Sequence, residues 1–332
     1  MIKALWQFLM PLVILAAVIL GGYKVVRHLR DVAAQTLAAI KQKPQTQSVD
    51  DQDGVVTEFP SPYPWLNHEY DPANTIAARI NVPMGYERAQ VDPDGFAHWL
   101  RHLPLKNPGA AVSGFDGKPA SLQAGHIAVL DMDAIGPHQQ SVQAIMRLRA
   151  EYLYHKKRML AIYFNFPNGQ PVEFVKWAQG IKPVIGEDGR PVLGDDGKLT
   201  WTRANRNLRK DYSYANFRAY LDMVFAHCDA RTYMKELEKG PLMKNLSIGN
   251  IFISPGNPAR CSIVVDMIER RSNGAKAFLL VQGSTPAQDL YVSKNFRPAD
   301  TGIFPWFDVR IGQGVVTPEG FRFARDDLKK LK

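Results

Sequence analysis

Cys261–Gly283 reads CSIVVDMIERRSNGAKAFLLVQG. Two nearly unbroken apolar runs, IVVDMI and AFLLVQ, flank the polar stretch ERRSNGAK. Runs rich in Val, Ile, Leu and Phe are expected for strands covered on both faces, and Ser272-Asn273-Gly274 carries turn chemistry. The expected unit is a β-hairpin with a type I′ turn at Asn273-Gly274, near the centre of the core. Counting outward from a two-residue turn sets Gln282 opposite Val265.

Other elements group around this hairpin. IAARINVP (Ile76–Pro83) has strand character. GFAHWLRHL (Gly95–Leu103) brings Phe96, Trp99, Leu100 and Leu103 to one helical face. HIAVLDMD (His126–Asp133) is expected to be a buried strand ending in two carboxylates. Gly136-Pro137 breaks the chain, and SVQAIMRLRAEYLYHKKR begins a helix at Ser141 with Val142, Ile145, Leu148 and Tyr152 on its buried face. Ser141 is that helix's natural N-cap. MLAIYFNF (Met159–Phe166) is expected as a strand. Glu187-Asp188-Gly189 and Asp195-Asp196-Gly197 mark hairpin turns of a ribbon-like insert. Tyr214–Cys228 is expected to be a helix packing through Phe217, Leu221, Val224 and Phe225. No internal repeat is apparent, and no glycine-rich phosphate loop follows a strand, which argues against a dinucleotide fold. The fold class these elements imply is α+β, an antiparallel sheet with packed helices.

The N-terminus differs in kind. Residues Leu5–Tyr23, LWQFLMPLVILAAVILGGY, carry no charge. At 1.5 Å per residue such a run spans about 28 Å, close to the hydrocarbon thickness of a bilayer. The expected organisation is a short tail over 1–4, one transmembrane anchor over 5–23 contacting the lipid bilayer, a juxtamembrane helix over 24–43, a Pro-bounded acidic linker over 44–62, and a single globular domain over 63–332. Lys24, Arg27 and Arg30 follow the run, and the positive-inside rule taken alone would hold that side in the cytoplasm.

The chain has 332 residues and a net charge of +9. Six Lys/Arg and five Asp/Glu precede position 61, so nearly the whole surplus lies on the globular part, spread out apart from Lys329, Lys330 and Lys332. A diffuse surplus gives solubility and mild attraction to anionic surfaces, and without an aromatic-interleaved basic patch it does not indicate specific nucleic-acid binding. Two cysteines, Cys228 and Cys261, exclude a disulfide framework. No Cys/His spacing suggests zinc, and no cofactor or metal is expected.

Candidate chemistry is sparse. Asp131 and Asp133 lie two apart at a strand end, on one face, where such a pair binds a hard cation or moves protons; a solvated strand end is the plainer alternative. His227 and Cys228 are adjacent on a helix and so do not face each other. Asp195-Asp196-Gly197 resembles part of a calcium loop but lacks the distal Glu. Ser141 stands at a helix start, which favours anions.

The blocks FAHWLRHLPLK, AVLDMD, QSVQAIMRLRAEYLY, FNFPNG, SYANFRAYLDMVFAH, IVVDM and FLLVQGSTPAQDLYVSKN resemble an uncharacterised bacterial domain-of-unknown-function family, found in envelope proteins that carry export signals. The similarity runs from about Ile76 to the C-terminus. It implies a Cys in relatives where this chain has Ser141, and a His where it has Arg260. By analogy that arrangement is papain-like, of the NlpC type, with Gln282 as the orienting third member. Ser141 and Arg260 cannot act as nucleophile and base, because Arg does not accept a proton at neutral pH. The expected function is a membrane-anchored envelope module that is non-catalytic and binds an anionic small ligand or envelope peptide through Ser141, Arg260 and Gln282, with Asp131 and Asp133 as further binding candidates. One alternative is an active amidase-like hydrolase with Ser141 or Cys261 as nucleophile and His126, His138 or His227 as base. Another is a structural subunit of an envelope complex. The resemblance implies the bacterial inner membrane with the domain on the periplasmic side, against the cytoplasmic orientation favoured by the basic flank.

Overall fold

A computed structural model describes residues 61–120, 125–203, 210–295, 302–309, 314–318 and 320–331. These belong to one compact unit. In chain order the helices are α1 (Ile76–Arg79), α2 (Phe96–Arg101), α3 (Ser141–His155), α4 (Phe174–Ala178), α5 (Tyr214–His227) and α6 (Ala230–Glu236). The strands are β1 (Tyr86–Arg88), β2 (His126–Val129), β3 (Tyr163–Asn165), β4 (Pro171–Glu173), β5 (Ile181–Pro183), β6 (Trp201–Arg203), β7 (Glu238–Lys239), β8 (Ile251–Ser254), β9 (Arg260–Arg270), β10 (Lys276–Gln282), β11 (Tyr291–Ser293), β12 (Phe307–Asp308), β13 (Val315–Val316), β14 (Arg322–Phe323) and β15 (Leu328–Lys330).

The main sheet runs β2-β11-β10-β9-β8-β15-β7, with β1 paired to the far part of β9 and β12 to the near part of β10. Its pairings are antiparallel. The β9–β10 hairpin is central because both of its faces are apolar. Cys261, Ile263, Val265 and Ile268 join the larger core cluster with the helices, whereas Val264 and Met267 join Phe252, Phe278, Leu280 and Phe323 on the other side. Each such fully buried aliphatic side chain is worth about 1.5–3 kcal/mol.

Three details correct the sequence-based expectations for this hairpin. The connection is not a two-residue type I′ turn: Arg270 N–H donates to Ala275 O, so Arg271–Gly274 form a four-residue loop in which only Gly274 has positive φ, at 68°. The register then shifts again, because Leu279 faces Asp266 while Leu280 faces Val264. Val265 is thus an extra residue, a β-bulge. The longer loop moves the pairing by two residues and the bulge by one, so Gln282 stands opposite Ser262 rather than Val265.

Elsewhere, Ile76–Arg79 is a helical turn, not a strand. Thr75 caps it by accepting the Ala78 N–H at 3.2 Å. Met159–Ala161 is a 3₁₀ turn that precedes the strand β3. The turns at Asp188-Gly189 and Asp196-Gly197 form as expected, and Gly114–Lys118 makes the same turn. In each, the Asp Oδ1 accepts the N–H two residues on. A Gly-x-Asp-Gly-Lys/Arg element therefore recurs three times, which corrects the reading of no repeat.

The expected membrane-spanning helix also needs correction. Among the described residues no helix is long and apolar enough to cross a membrane. The longest, α3, has 15 residues, about 22 Å of rise against the roughly 30 Å a span needs. The run 5–23, the segment 24–43 and nearly all of 44–62 lie outside the described residues.

Candidate functional site

Helix α3 starts against the ends of β9 and β10. Gly283 permits this approach, since a Cβ there would stand 3.3 Å from Ala144 Cβ and 3.8 Å from Ser141 Cα. Gln140, not Ser141, is the N-cap. Ser141 is the first helical residue, and its hydroxyl turns to the sheet: it accepts the Cys261 N–H at 2.9 Å and donates to Cys261 O at 3.3 Å. The hydroxyl is buried and satisfied, so it welds the helix to the strand start.

The other expected site residues are dispersed. Arg260 precedes Cys261 and so points to the opposite side of the strand. Its guanidinium lies 4.7 Å from the centroid of Phe321, a member of the second core cluster. Gln282 is buried; its Oε1 accepts the Ser262 hydroxyl at 3.1 Å and its Nε2 donates to Tyr291 Oη at 2.8 Å. Asp131 meets His68 at 2.8 Å, while Asp133 is held by both guanidinium nitrogens of Arg218 at 3.0 and 2.7 Å. The two carboxylates thus serve different partners. Among the described residues no group of three or more His, Cys, Asp or Glu could hold a metal ion. His126 sits on β2, with Nε2 3.2 Å from Ala110 O.

An open cleft of about 630 Å³ lies at the start of α3. One wall is His138, Gln140 and Gln143; another is the α5–α6 junction with His227 and Arg231; Asn257 and Thr285 close the third side. Its apolar lining includes Val142, Phe225 and Pro258. Thr285 donates to Gln140 Oε1 at 3.4 Å, and Gln143 Nε2 donates to Cys228 O at 3.3 Å. Burial, with His138 nearby, holds the His227 imidazole below its ordinary pKa, so the ring is neutral at pH 7. Besides the imidazoles, the polar side chains are amides, a hydroxyl, the Arg231 guanidinium and the Asp229 carboxylate, whose Oδ1 accepts the Thr232 N–H at 2.7 Å.

Nothing in this cleft pairs a nucleophile with a base. Cys228 and Cys261 are free and buried. The Cys228 thiol donates to Asn165 O at 3.2 Å, and burial pushes both thiols well above their ordinary pKa. The arrangement suits recognition of a polar, hydrogen-bonding ligand.

A buried ionic network shapes the cleft from behind. Arg147 Nε donates to Glu151 Oε1 at 3.0 Å, and Tyr214 Oη donates to the same oxygen at 2.8 Å. Arg147 Nη1 donates to Gln139 Oε1 at 2.9 Å and to Asp133 O. Gln139 Oε1 also accepts the Ile135 N–H at 3.2 Å. Arg147 therefore fixes the 133–140 segment that carries His138 and Gln140 to the cleft edge. Sequence reasoning passed over this pair, although Arg147 and Glu151 at i and i+4 on the face next to Leu148 were a visible signal.

A second buried carboxylate, Asp266, was also missed. Its Oδ1 accepts from Arg101 Nε at 2.6 Å and from Met267 N–H at 2.8 Å; its Oδ2 accepts from Arg88 Nε at 2.8 Å. The bulge at Val265 turns Asp266 toward the helices. An acid inside the apolar run IVVDMI was the available clue.

No curated protein and no solved structure matches the chain. A family model described as "Domain of unknown function (4846)" matches residues 76–330.

Proposed function

The chain belongs to this domain-of-unknown-function family, and from that premise we propose that it is a binding module without catalytic turnover, taking an anionic small ligand or a peptide carboxylate in the cleft at the start of α3. The observation that carries the reading is the lining: Arg231, amide side chains and two imidazoles, with Asp229 as the one carboxylate among the described lining residues and its Oδ1 taken by the Thr232 N–H; Ser141 is buried away from the cleft, and Cys228, which lines it, has its thiol turned to Asn165 O. Guanidinium and amide N–H groups form charge-assisted bonds to a carboxylate. The first turn of α3 adds free backbone donors and a favourable dipole.

The setting we propose is the periplasmic side of the bacterial inner membrane, supported by the resemblance to exported proteins. A C-terminal alkaline phosphatase fusion that stays inactive would reverse that orientation.

Calorimetric titration with an acetylated tripeptide, compared with its C-terminal amide, tests the binding reading. The free acid should bind the full chain and the amide should bind much more weakly. Arg231→Ala, an exposed change, should weaken the acid by about tenfold, the loss of one exposed charge-assisted contact. Equal affinity for acid and amide would remove the carboxylate assignment. Labelling of Ser141 by a fluorophosphonate would remove the non-catalytic one.

A further inference from the structure

We propose that His98 and His102 form a two-imidazole binding site for a divalent transition-metal ion of the Cu²⁺, Ni²⁺ or Zn²⁺ class. The two lie one helical turn apart, His98 within α2 and His102 as its C-cap. Their ring centroids are 4.0 Å apart with a 35° tilt. Side chains at i and i+4 share one helical face, and two imidazoles so placed can grip one ion from the same side.

The hydrogen bonding prepares His102 for this role. Its Nδ1 lies 2.8 Å from His98 O. A carbonyl only accepts, so Nδ1 carries the proton, and in the neutral ring Nε2 keeps its lone pair. Metal-ligating histidines are oriented in this way, one nitrogen donating to a backbone carbonyl and the other facing the ion. Tyr70 Oη donates to the carbonyl of His102 at 3.2 Å, which holds the C-cap in place. Among the described residues neither ring nitrogen of His98 has a hydrogen-bond partner.

The electrostatics agree with the geometry. The charge of Arg101 is compensated by Asp266 at 2.6 Å. The carboxylates of Asp94 and Asp92, near His98, favour a cation beside it. Metal–nitrogen bonds of about 2 Å at a tetrahedral ion need ring centroids roughly 5 Å apart, so the stacked rings must open by about 1 Å. Both residues are half-buried, and side-chain rotation supplies that movement. Among the described residues no third protein ligand completes the set, so water fills the remaining positions, and the order of affinity should follow Cu²⁺ over Ni²⁺.

The test is titration of the metal-free full chain with NiCl₂ or CuCl₂ alone. One ion should bind per chain, and the ring resonances of His98 and His102 in the wild-type protein should be the first to broaden under the paramagnetic ion. His98→Ala and His102→Ala should each weaken binding by at least about tenfold, while His68→Ala, whose ring pairs with Asp131, should leave it unchanged. Broadening that begins at other histidines, or His98→Ala binding as wild type, would overturn the site. The broadening needs no substitution, so it decides the matter even if one variant folds poorly.

Discussion

Asp266 and Glu151 are both fully buried carboxylates beside arginine, yet they are solved differently. Asp266 has both oxygens occupied, by Arg88, Arg101 and a backbone N–H. Glu151 has one oxygen bonded twice, while its Oε2 and Arg147 Nη2 have no hydrogen-bond partner among the described residues. A saturated acid in low dielectric fixes its partners, whereas a half-satisfied one gives up much of what it gains to desolvation. Asp266 ties β9 to α2 and β1, at the centre of the fold. Glu151 sits behind the cleft, where its partner Arg147 shapes a ligand-facing segment. The contrast separates the part of the molecule that holds the fold from the part that presents a surface.

The largest expected effect comes from adding a buried acid that has no arginine beside it. Val264→Asp, on the opposite face of β9, should cost about 4 kcal/mol and unfold the domain at low denaturant. A midpoint unchanged in urea would mean the hairpin is peripheral. Asp266→Asn should cost about 3 kcal/mol, because it leaves two arginines facing a neutral amide. Glu151→Gln should cost less than about 1 kcal/mol, since the amide oxygen retains both donors. Equal losses for Asp266→Asn and Glu151→Gln would erase the distinction between the two centres.

The distinction also has a pH signature. Burial, against the pull of Arg147, raises the Glu151 carboxyl above its ordinary value of 4.5. The folded state then holds the proton more tightly than the unfolded chain. Its stabilising contribution is full below that value and is lost as pH rises through the elevated one. Wild type should therefore lose stability relative to Glu151→Gln across that window in parallel urea titrations. A constant difference would contradict the raised carboxyl.

Smaller still is Ser141→Ala, about 1 kcal/mol for a buried hydrogen-bond pair to Cys261 rather than for a helix cap. At the bottom of the scale is His227. Its lowered pKa means the folded state resists protonation, so stability should decline slightly as pH falls below 6.5. His227→Gln should flatten that decline in thermal melts recorded across the range.

Local chemistry made much of the fold legible. The apolar runs of β9 and β10 and the start of α3 follow from periodicity and from Gly136-Pro137. The register of the hairpin did not, because Ser272-Asn273-Gly274 suits a tight turn as well as the four-residue loop observed, and nothing in IVVDMI marks Val265 as the bulge. Ile76–Arg79 was misread because its apolar spacing fits either period, while the deciding cap, Thr75, lies just outside it. The cleft was illegible for another reason. Its lining comes from near 140, 227, 257 and 285, and no local pattern joins segments so far apart. Asp266 sits 165 and 178 residues from Arg101 and Arg88. The acid is visible in the sequence, but its partners are not.

The central claim, that the cleft at the start of α3 is the binding surface, is tested most directly by mapping the acetylated tripeptide acid onto the wild-type protein by NMR. The account predicts that the side-chain amides of Gln140, Gln143 and Asn257 and the rings of His138 and His227 shift together, saturably, with the peptide recovered intact. Shifts confined to another face, or a peptide hydrolysed during the titration, would contradict it.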